Sequence, residues 1–468
     1  MLRTTIKHRP PPLPKLIRYW SDFAHHAEPG SLGSQLVSYT YPRGSTLINS
    51  RHFYQNTVLM EWVQRDPRPV SLRQLAFFGR RLTRDKLLAS ANFVQQELPT
   101  RLAHRIRDMQ VLPFGAVSNP HLCSVYEMYY TAFDQFRRFS KINTLEDNER
   151  FCGLLNKLLN DHLTVIPKLV MGAIECSMAN SIDSLRLDSF MSSILRSRIS
   201  RRVIAEQHLA LSSAFATPAA NTSHADDPSY IGAVFLQCSA KEAVQSCGSR
   251  ASELIQDLYP NALMPEIIIE GSEDARFPYM QSHLDYILGE LLRNSIEATV
   301  KNHEGKKSPP PIVVSISNTH ESVLIRVSDQ GGGIAPEILP YIWSFSKGPQ
   351  MEHRLDNFKQ VPTFAGLLQE VATEEEQLEQ KLSHKHGKSS PLHPLSDKER
   401  DEMMASLSSL MSRPPHLKLG MGLPLSKVYV EYWDGHIDLH SLEGYGCDVF
   451  LRISRLGNQS ERLQLDRV

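Results

Sequence analysis

The sequence predicts an α+β protein: an N-terminal helical bundle of the four-helix type, followed by an α/β sandwich domain with a mixed sheet. Two observations predict this fold class. From about residue 71 to residue 213, apolar residues recur at the spacing of amphipathic helices. Beyond a polar stretch at 216–229, short segments rich in Val and Ile alternate with further helices. This change of sequence pattern predicts the bundle at 22–215, a linker at 216–229 and the second domain at 230–456.

The bundle is predicted from helix-length segments joined by short turns. A short amphipathic segment near Leu72 and Leu75 comes first. The longer helices that follow are predicted at Asp85–Arg107, Cys123–Phe139, Leu145–Ala179 and Asp188–Ser213. Pro167 lies inside the third of these, and because proline removes a backbone donor we expect it to kink that helix.

The second domain is predicted from strand-like segments that alternate with helices. The expected strands are Ile231–Cys238, Pro265–Glu270, Ile312–Ser317, Val323–Ser328, His436–Ser441 and Asp448–Ile453. The expected helices are Lys241–Tyr259, Tyr279–Asn302 and Pro424–Trp433. This order predicts one mixed sheet covered by helices.

A long insertion at 347–418 interrupts the second domain. It shows no strand pattern and contains charged and low-complexity stretches. Such an insertion is typical of a lid over a binding site, while disorder without function is the alternative for its middle third. Residues 457–468 form a short tail after the last strand.

The first 21 residues are basic and contain no acid, since Asp22 is the first acidic residue. This composition predicts a mitochondrial presequence at 1–21 and a matrix location, because positive charge drives import. The proline run at 10–12 does not suit the amphipathic helix that such segments form, so a disordered basic tail is the alternative.

Composition excludes several classes. The chain has 51 Lys plus Arg and 51 Asp plus Glu, a neutral balance that gives no support for nucleic-acid binding. None of the 6 cysteines forms a Cys-x-x-Cys pair, which argues against a disulfide framework or a zinc site. No apolar run reaches the roughly 20 residues that span a bilayer.

The first candidate site element is Glu290 and Asn294 on the Tyr279–Asn302 helix. Because they are four residues apart, they share a helix face. An Asn amide oxygen suits Mg2+ that is already bound to nucleotide phosphates, and a carboxylate one turn away can accept a proton from an attacking hydroxyl. The alternative is an amphipathic helix with a solvated Glu-Arg-Asn face.

Two glycine-rich elements follow. In Asp329-Gln-Gly-Gly-Gly333, an Asp at a strand end can accept a hydrogen bond from an exocyclic amine such as that of adenine, and glycines let backbone approach a flat ring. In Gly420-Met-Gly-Leu423, glycine amides at a helix start form an anion site suited to phosphates. Each element alone also fits an ordinary turn.

The order of these elements resembles the GHKL ATP-binding superfamily, whose members include histidine kinases, gyrase, Hsp90-type chaperones and mitochondrial 2-oxoacid dehydrogenase kinases. The last group is the most similar. Segments that resemble its branched-chain member are Ser282–Asn294, Leu324–Ile334, Gly422–Tyr432 and Gly446–Arg452. Segments in the helical half that resemble pyruvate and branched-chain kinases alike are Asn92–Ala103 and Ser197–His208.

The resemblance implies a role for each matching residue. Glu290 would be the general base, Asn294 the Mg2+ ligand, and His162 a histidine of the bundle that faces the glutamate. Asp329 would bind the adenine amine in a pocket shaped by Gly331 and Gly333. Further ATP contacts are expected at Glu297, Ser346, Lys347, Gly420, Met421, Gly422 and Leu423.

The resemblance also implies an activity and partners. The chain would use ATP and Mg2+ to phosphorylate and inactivate, on serine, the E1 component of a branched-chain or pyruvate dehydrogenase complex. It would dock on the lipoyl-bearing E2 core and form a homodimer. The amino-acid sequence of the catalytic helix and the short segment after the last strand favour the branched-chain complex.

The sequence departs from the family pattern at three places. Lys418 stands where the family has a glycine, Cys447 stands where it has a threonine, and the insertion is longer than in the animal kinases. These departures leave open an inactive ATP-binding scaffold. A histidine-kinase-like autokinase with His162 as phosphoacceptor is a further alternative, although no acid follows His162 as it does in such kinases. A buried structural histidine is also possible there.

Overall fold

The computed structural model of the protein describes residues 56–72, 74–75, 82–216, 230–231, 234–304, 308–358 and 418–455. The predicted presequence and tail, residues 217–229 of the linker and residues 359–417 of the insertion lie outside these ranges. Within the described ranges, no helix is both long and apolar enough to cross a membrane.

The N-terminal half is a helical bundle. Its helices are α1 (Asn56–Val63), α2 (Arg84–Gln110), α3 (Phe114–Val117), α4 (Pro120–Arg138), α5 (Leu145–Asp161), α6 (Val165–Met178) and α7 (Ser184–Ala216). Helix α5 begins where it does because Thr144 and Asp147 form a capping box, in which each side chain bonds the other's backbone amide. Fully buried aromatic side chains such as Tyr126, Phe133 and Phe151 fill the bundle core.

The single helix expected at Leu145–Ala179 is wrong. Helix α5 ends at Asp161 and α6 begins at Val165, with a turn at residues 162–164 between them. Pro167 therefore kinks nothing, since it is the third residue of α6, where a backbone amide has no partner within the helix. The turn lets α6 fold back to pack against α4.

The C-terminal half contains two sheets, and the prediction of one sheet is wrong in this respect. A five-stranded mixed sheet has the order β3-β5-β6-β8-β7, with β3 and β5 parallel and the other pairs antiparallel. A second, antiparallel sheet has the order β1-β2-β4. The strands are β1 (Tyr230–Ile231), β2 (Val234–Ser239), β3 (Ile267–Gly271), β4 (Arg276–Tyr279), β5 (Ile312–Asn318), β6 (Ser322–Ser328), β7 (His436–Leu442) and β8 (Gly446–Ser454).

Strand β4 was not predicted, because it has four residues and contains Pro278. Proline is tolerated there since β4 lies at the edge of its sheet, where one row of backbone amides needs no partner. Phe277 and Tyr279 anchor the strand, as both are buried. The helix expected from Tyr279 starts two residues later, at Gln281.

Three helices complete this half: α8 (Ala240–Leu258), α9 (Gln281–Asn302) and α10 (Gly422–Tyr432). Helix α9 packs between α8 and α10, and α10 also contacts α7 of the bundle. At that contact Arg196 of α7 forms an ion pair with Glu431 of α10. The two halves therefore meet along α7 and α10, and one buried apolar core runs through both.

Candidate active site

Glu290 lies in the middle of α9 with 1% of its surface exposed. Gly422, the first residue of α10, sits directly against it: a Cβ at Gly422 would overlap the Glu290 carboxylate. Position 422 therefore accepts only glycine while this carboxylate stays in place. The contact brings the candidate base to the start of the helix that carries the candidate phosphate-binding amides.

Asn294 is exposed one helical turn beyond the buried Glu290. Arg293 between them is also buried, at 5% exposure. The alternative of a solvated Glu-Arg-Asn face is therefore wrong for Glu290 and Arg293, because both side chains are buried. Of the three residues, only Asn294 is exposed.

Asp329 follows β6 and is 6% exposed. Its Oδ2 accepts a hydrogen bond from the Ser295 hydroxyl (2.8 Å), while its Oδ1 accepts from the backbone amides of Gly331 (2.9 Å) and Cys447 (3.2 Å). Burial raises the pKa of Asp329, although these hydrogen bonds oppose the rise. The carboxylate thus ties α9, the glycine turn and β8 together. Ser295 was missed, although it directly follows Asn294 in the sequence.

The glycine turn after Asp329 is fitted closely to its neighbours. A Cβ at Gly331 would collide with Ala298 on α9. Gly333 has a φ of +73°, and a Cβ there would overlap the Leu442 carbonyl, so both its backbone and its surroundings require glycine. The amide of Ile334 donates to the Ser441 hydroxyl at 2.7 Å. The turn is therefore fastened to the β7–β8 hairpin.

Glu297, which was expected to contact ATP, is held by two lysines. Its Oε1 lies 2.7 Å from Lys301 Nζ and 2.8 Å from Lys418 Nζ. Burial alone would raise the pKa of Glu297, but the hydrogen bonds from both lysines outweigh it and lower the pKa. Lys418, the residue found in place of a family glycine, thus binds α9 at the position just before the phosphate loop.

The phosphate loop itself (residues 420–423) has the features of an anion site. Gly420 adopts a φ of +64°, which favours glycine. Met421 precedes α10 and its side chain makes no capping hydrogen bond to the first turn of that helix. The amides at the start of a helix can bind an anion, and the anion site at Gly422 and Leu423 stays a prediction.

Ser346 and Lys347 lie at the start of the insertion, beside this loop. Ser346 is fully buried, and its amide donates to Asp188 Oδ1 of α7 at 3.1 Å. Arg354 is 7% exposed and joins the start of the insertion to its end: it donates to the Lys347 carbonyl (3.1 Å) and to the Gly420 carbonyl (3.1 Å). Asp188 and Arg354 were both missed, because neither lies in a recognisable motif.

His162 ends α5 inside the bundle, where its Nε2 lies 3.2 Å from the Met128 carbonyl. Burial, reinforced by the nearby Arg201, lowers the pKa of His162 to about 3. The imidazole is therefore neutral near pH 7. The His162 ring lies beside Tyr129 of α4 and near Arg201 of α7, so it lies within the bundle.

The described residues contain no group of three or more His, Cys, Asp and Glu side chains that would hold a metal ion by themselves. A magnesium ion carried by nucleotide phosphates needs few protein ligands, because most of its octahedral positions are filled by phosphate oxygens and water. The single exposed amide of Asn294 fits that requirement.

Two family models and several known proteins are similar to this chain. Residues 69–235 match a family model described as mitochondrial branched-chain alpha-ketoacid dehydrogenase kinase, and residues 280–384 match one described as histidine kinase-, DNA gyrase B- and HSP90-like ATPase. The chain is 36% identical to pyruvate dehydrogenase kinase 2 of Saccharomyces cerevisiae, with 94% of each chain covered. It is 28% identical to the pyruvate dehydrogenase kinase of Arabidopsis thaliana, over 84% of this chain and 92% of that one. It is 26% identical to human isozyme 4, over 84% and 83%.

Proposed function

Because this chain belongs to the family of mitochondrial 2-oxoacid dehydrogenase kinases, we propose that it phosphorylates a serine on the E1 component of such a complex and so inactivates it. The chain is an ATP-dependent kinase of a mitochondrial family, and it contains a GHKL-type ATPase domain. The observation that carries the proposal is the buried Glu290 carboxylate against Gly422, one turn from the exposed Asn294.

In the proposed mechanism ATP is the phosphoryl donor, and Mg2+ bound to its phosphates would neutralise the charge that develops during transfer. Asp329 accepts a hydrogen bond from the adenine amine, with Gly331 and Gly333 lining the ring. The amides of Gly420 to Leu423 would hold the phosphates, and Asn294 would ligate the metal. Glu290 takes the proton of the attacking serine hydroxyl, and its burial keeps bulk water from competing for that proton.

Lys418 and Glu297 adjust the charge beside the phosphates in this proposal. Without its lysines, Glu297 would place an uncompensated negative charge one turn beyond Asn294 and repel the nucleotide. Lys418 and Lys301 together leave the three-residue group with a net positive charge. The departure from glycine at 418 is therefore compatible with ATP binding.

The substrate complex is proposed to be pyruvate dehydrogenase. The catalytic helix resembles the branched-chain kinase, and the model that matches the helical half carries that name. The relative that is similar along 94% of both chains is named for the pyruvate enzyme, however, and we give the whole-chain similarity more weight. Docking on lipoyl domains of E2, homodimer formation and a matrix location belong to the same proposal.

The second candidate is an ATP-binding scaffold without activity, which Cys447 favours because its thiol replaces a threonine hydroxyl near Asp329. The backbone amide of Cys447 nevertheless keeps its hydrogen bond to Asp329. The autokinase alternative requires an accessible His162, whereas this side chain is partly buried in the bundle.

The test is transfer of labelled phosphate from ATP with Mg2+ to purified E1 of each complex, with and without E2. We expect serine-bound label on pyruvate dehydrogenase E1, and a rate about 10²–10⁴-fold lower for Glu290→Gln with ATP binding retained. Label on branched-chain E1 alone would reassign the substrate. ATP binding without transfer to either E1 would favour the scaffold, and acid-labile label on the chain itself would favour the autokinase.

A further inference from the structure

At the base of the insertion, its first residues lie next to the phosphate loop and to helix α7 of the bundle. Three segments come together there: residues 344–347, a short helix at 351–358 that we call the lid-base helix, and residues 419–420. The proposed nucleotide contacts at Ser346 and Gly420 belong to two of these segments. What holds the segments together therefore bears on nucleotide binding.

Arg354 of the lid-base helix forms hydrogen bonds with both of the other segments. Its guanidinium donates to four backbone carbonyls, those of Phe345 (3.3 Å), Lys347 (3.1 Å), Leu419 (3.1 Å) and Gly420 (3.1 Å). Burial lowers the pKa of Arg354, yet a guanidinium remains charged at neutral pH. A buried cation is costly unless it is hydrogen-bonded, and here the carbonyls at both ends of the insertion meet that need.

Asp188 of α7 holds the other side of residues 344–347. Its Oδ1 accepts from the amides of Phe345 (3.0 Å) and Ser346 (3.1 Å), and its Oδ2 accepts from the Ser344 hydroxyl (2.5 Å). The segment thus lies between two opposite charges. The peptide between Phe345 and Ser346 is bonded at both ends, since Arg354 binds its carbonyl and Asp188 binds its amide.

Arg354 also covers Gly420. The guanidinium occupies the space that a side chain at position 420 would need, and the φ of +64° at this residue disfavours any side chain as well. Two residues later, Gly422 contacts Glu290. A continuous path of contacts therefore runs from α7 through Asp188, residues 344–347 and Arg354 to the phosphate loop and the candidate base.

We infer that Asp188 and Arg354 are positioning residues that make nucleotide binding depend on the helical bundle. The pair holds Ser346 and the phosphate loop in the arrangement that receives the triphosphate, with Asp188 supplied by the bundle and Arg354 by the insertion. Neither side chain needs to touch the nucleotide. The inference rests on the proposed function for the identity of the site, and it adds the control of that site by α7.

The test uses the full chain and measures the dissociation constant of ATP with Mg2+ by titration calorimetry, and KM and kcat with E1. Asp188→Ala and Arg354→Met are each expected to weaken ATP binding about 10-fold or more, since each leaves buried backbone groups unpaired. At saturating ATP, kcat should stay within about 3-fold of the wild type. The double variant should be hardly weaker than the worse single variant, because both act on one segment.

Two controls separate positioning from general damage. Asp183→Ala removes the carboxylate just before α7, which accepts from the amides of Leu185 (3.1 Å) and Arg186 (3.2 Å), and it should leave ATP affinity unchanged. Asp188→Asn should restore binding to within about 3-fold of the wild type, because one amide oxygen still accepts both backbone amides. Melting followed by circular dichroism checks that each variant is folded.

Wild-type ATP affinity in folded Asp188→Ala and Arg354→Met would overturn the inference, as would fully additive losses in the double variant. If Arg354→Met does not fold, Arg354→Lys decides: one ammonium cannot reach four carbonyls, so unchanged ATP binding in that variant contradicts the inference. The proposed function fails separately, when the wild type binds ATP and phosphorylates no E1.

Discussion

The two ends of the candidate ATP site are built in different ways. At the adenine end, Asp329 is bonded by Ser295, Gly331 and Cys447, which all belong to the C-terminal half. At the phosphate end, the loop at 420–423 is held by Arg354 from the insertion and indirectly by Asp188 from the bundle. The candidate adenine end is thus built by one domain, while the candidate phosphate end is built by three parts of the chain.

The difference teaches where regulation can act. A pocket whose contacts all lie within one sheet and its helix changes little when a neighbouring domain moves. A loop that is held from outside responds to any shift of its supports. We therefore expect substitutions at the adenine end to alter ATP affinity locally, and those of Asp188 and Arg354 to alter it through the bundle and the insertion.

Gly422→Ala is expected to have the largest effect, because the new methyl group displaces the Glu290 carboxylate. A misplaced general base lowers kcat about 10²-fold or more, while KM for ATP changes less. Initial rates with E1 measure this. Gly153→Ala is the matched control, since its site on α5 is open and alanine there stabilises the helix by up to about 1 kcal/mol. Unchanged kcat in Gly422→Ala would contradict the role of Glu290 as general base.

Asp329→Ala tests the adenine end. It removes the acceptor for the adenine amine and leaves the Ser295 hydroxyl and two backbone amides without their carboxylate. Each lost charged hydrogen bond is worth about 1–3 kcal/mol, so we expect ATP to bind about 10- to 100-fold more weakly. Ser295→Ala should lose much less ATP affinity, because the amides of Gly331 and Cys447 keep Asp329 as their acceptor. Calorimetry distinguishes them, and equal losses would contradict a direct role of Asp329.

Acid should weaken the bundle through His208. This histidine is fully buried between Ser90 and Asn148, each at 3.0 Å, and burial lowers its pKa to about 4. The unfolded chain takes up a proton near pH 6.5 and the folded chain does not, so stability falls as the pH drops from about 6.5 to 4. The slope is about 1.4 kcal/mol per pH unit for each such histidine.

Urea unfolding at several pH values measures this slope. In His208→Gln, the unfolding free energy should depend less steeply on pH than in the wild type. The expected difference is about 1.4 kcal/mol per pH unit, which corresponds to one proton. A variant with the same slope would show that other groups cause the acid sensitivity.

Lys418→Met is expected to have the smallest effect. The lysine side chain is 59% exposed, and Glu297 keeps Lys301 as a partner. An ion pair so open to solvent contributes less than about 1 kcal/mol, so KM for ATP should rise only severalfold. Raising the salt concentration should reduce the difference from the wild type. A loss of ATP binding above about 10-fold would instead make Lys418 a direct phosphate ligand.

The sequence by itself determined the two halves and their order, because helical and strand periodicity reflect local burial. From the order of three short elements it also predicted Glu290, Asn294, Asp329 and the glycines as site residues, and these stay predictions. It failed where local pattern is weak. Strand β4 is short and contains proline, and the break at residues 162–164 carries no glycine or proline.

Only the tertiary structure decided how the motifs meet. The contact of Gly422 with Glu290 joins residues more than a hundred positions apart, and no local pattern encodes it. Asp188 and Arg354 look like ordinary charged residues until the fold places them on the two sides of residues 344–347. Charged side chains become specific through burial and partners, and both depend on segments that are distant in the chain.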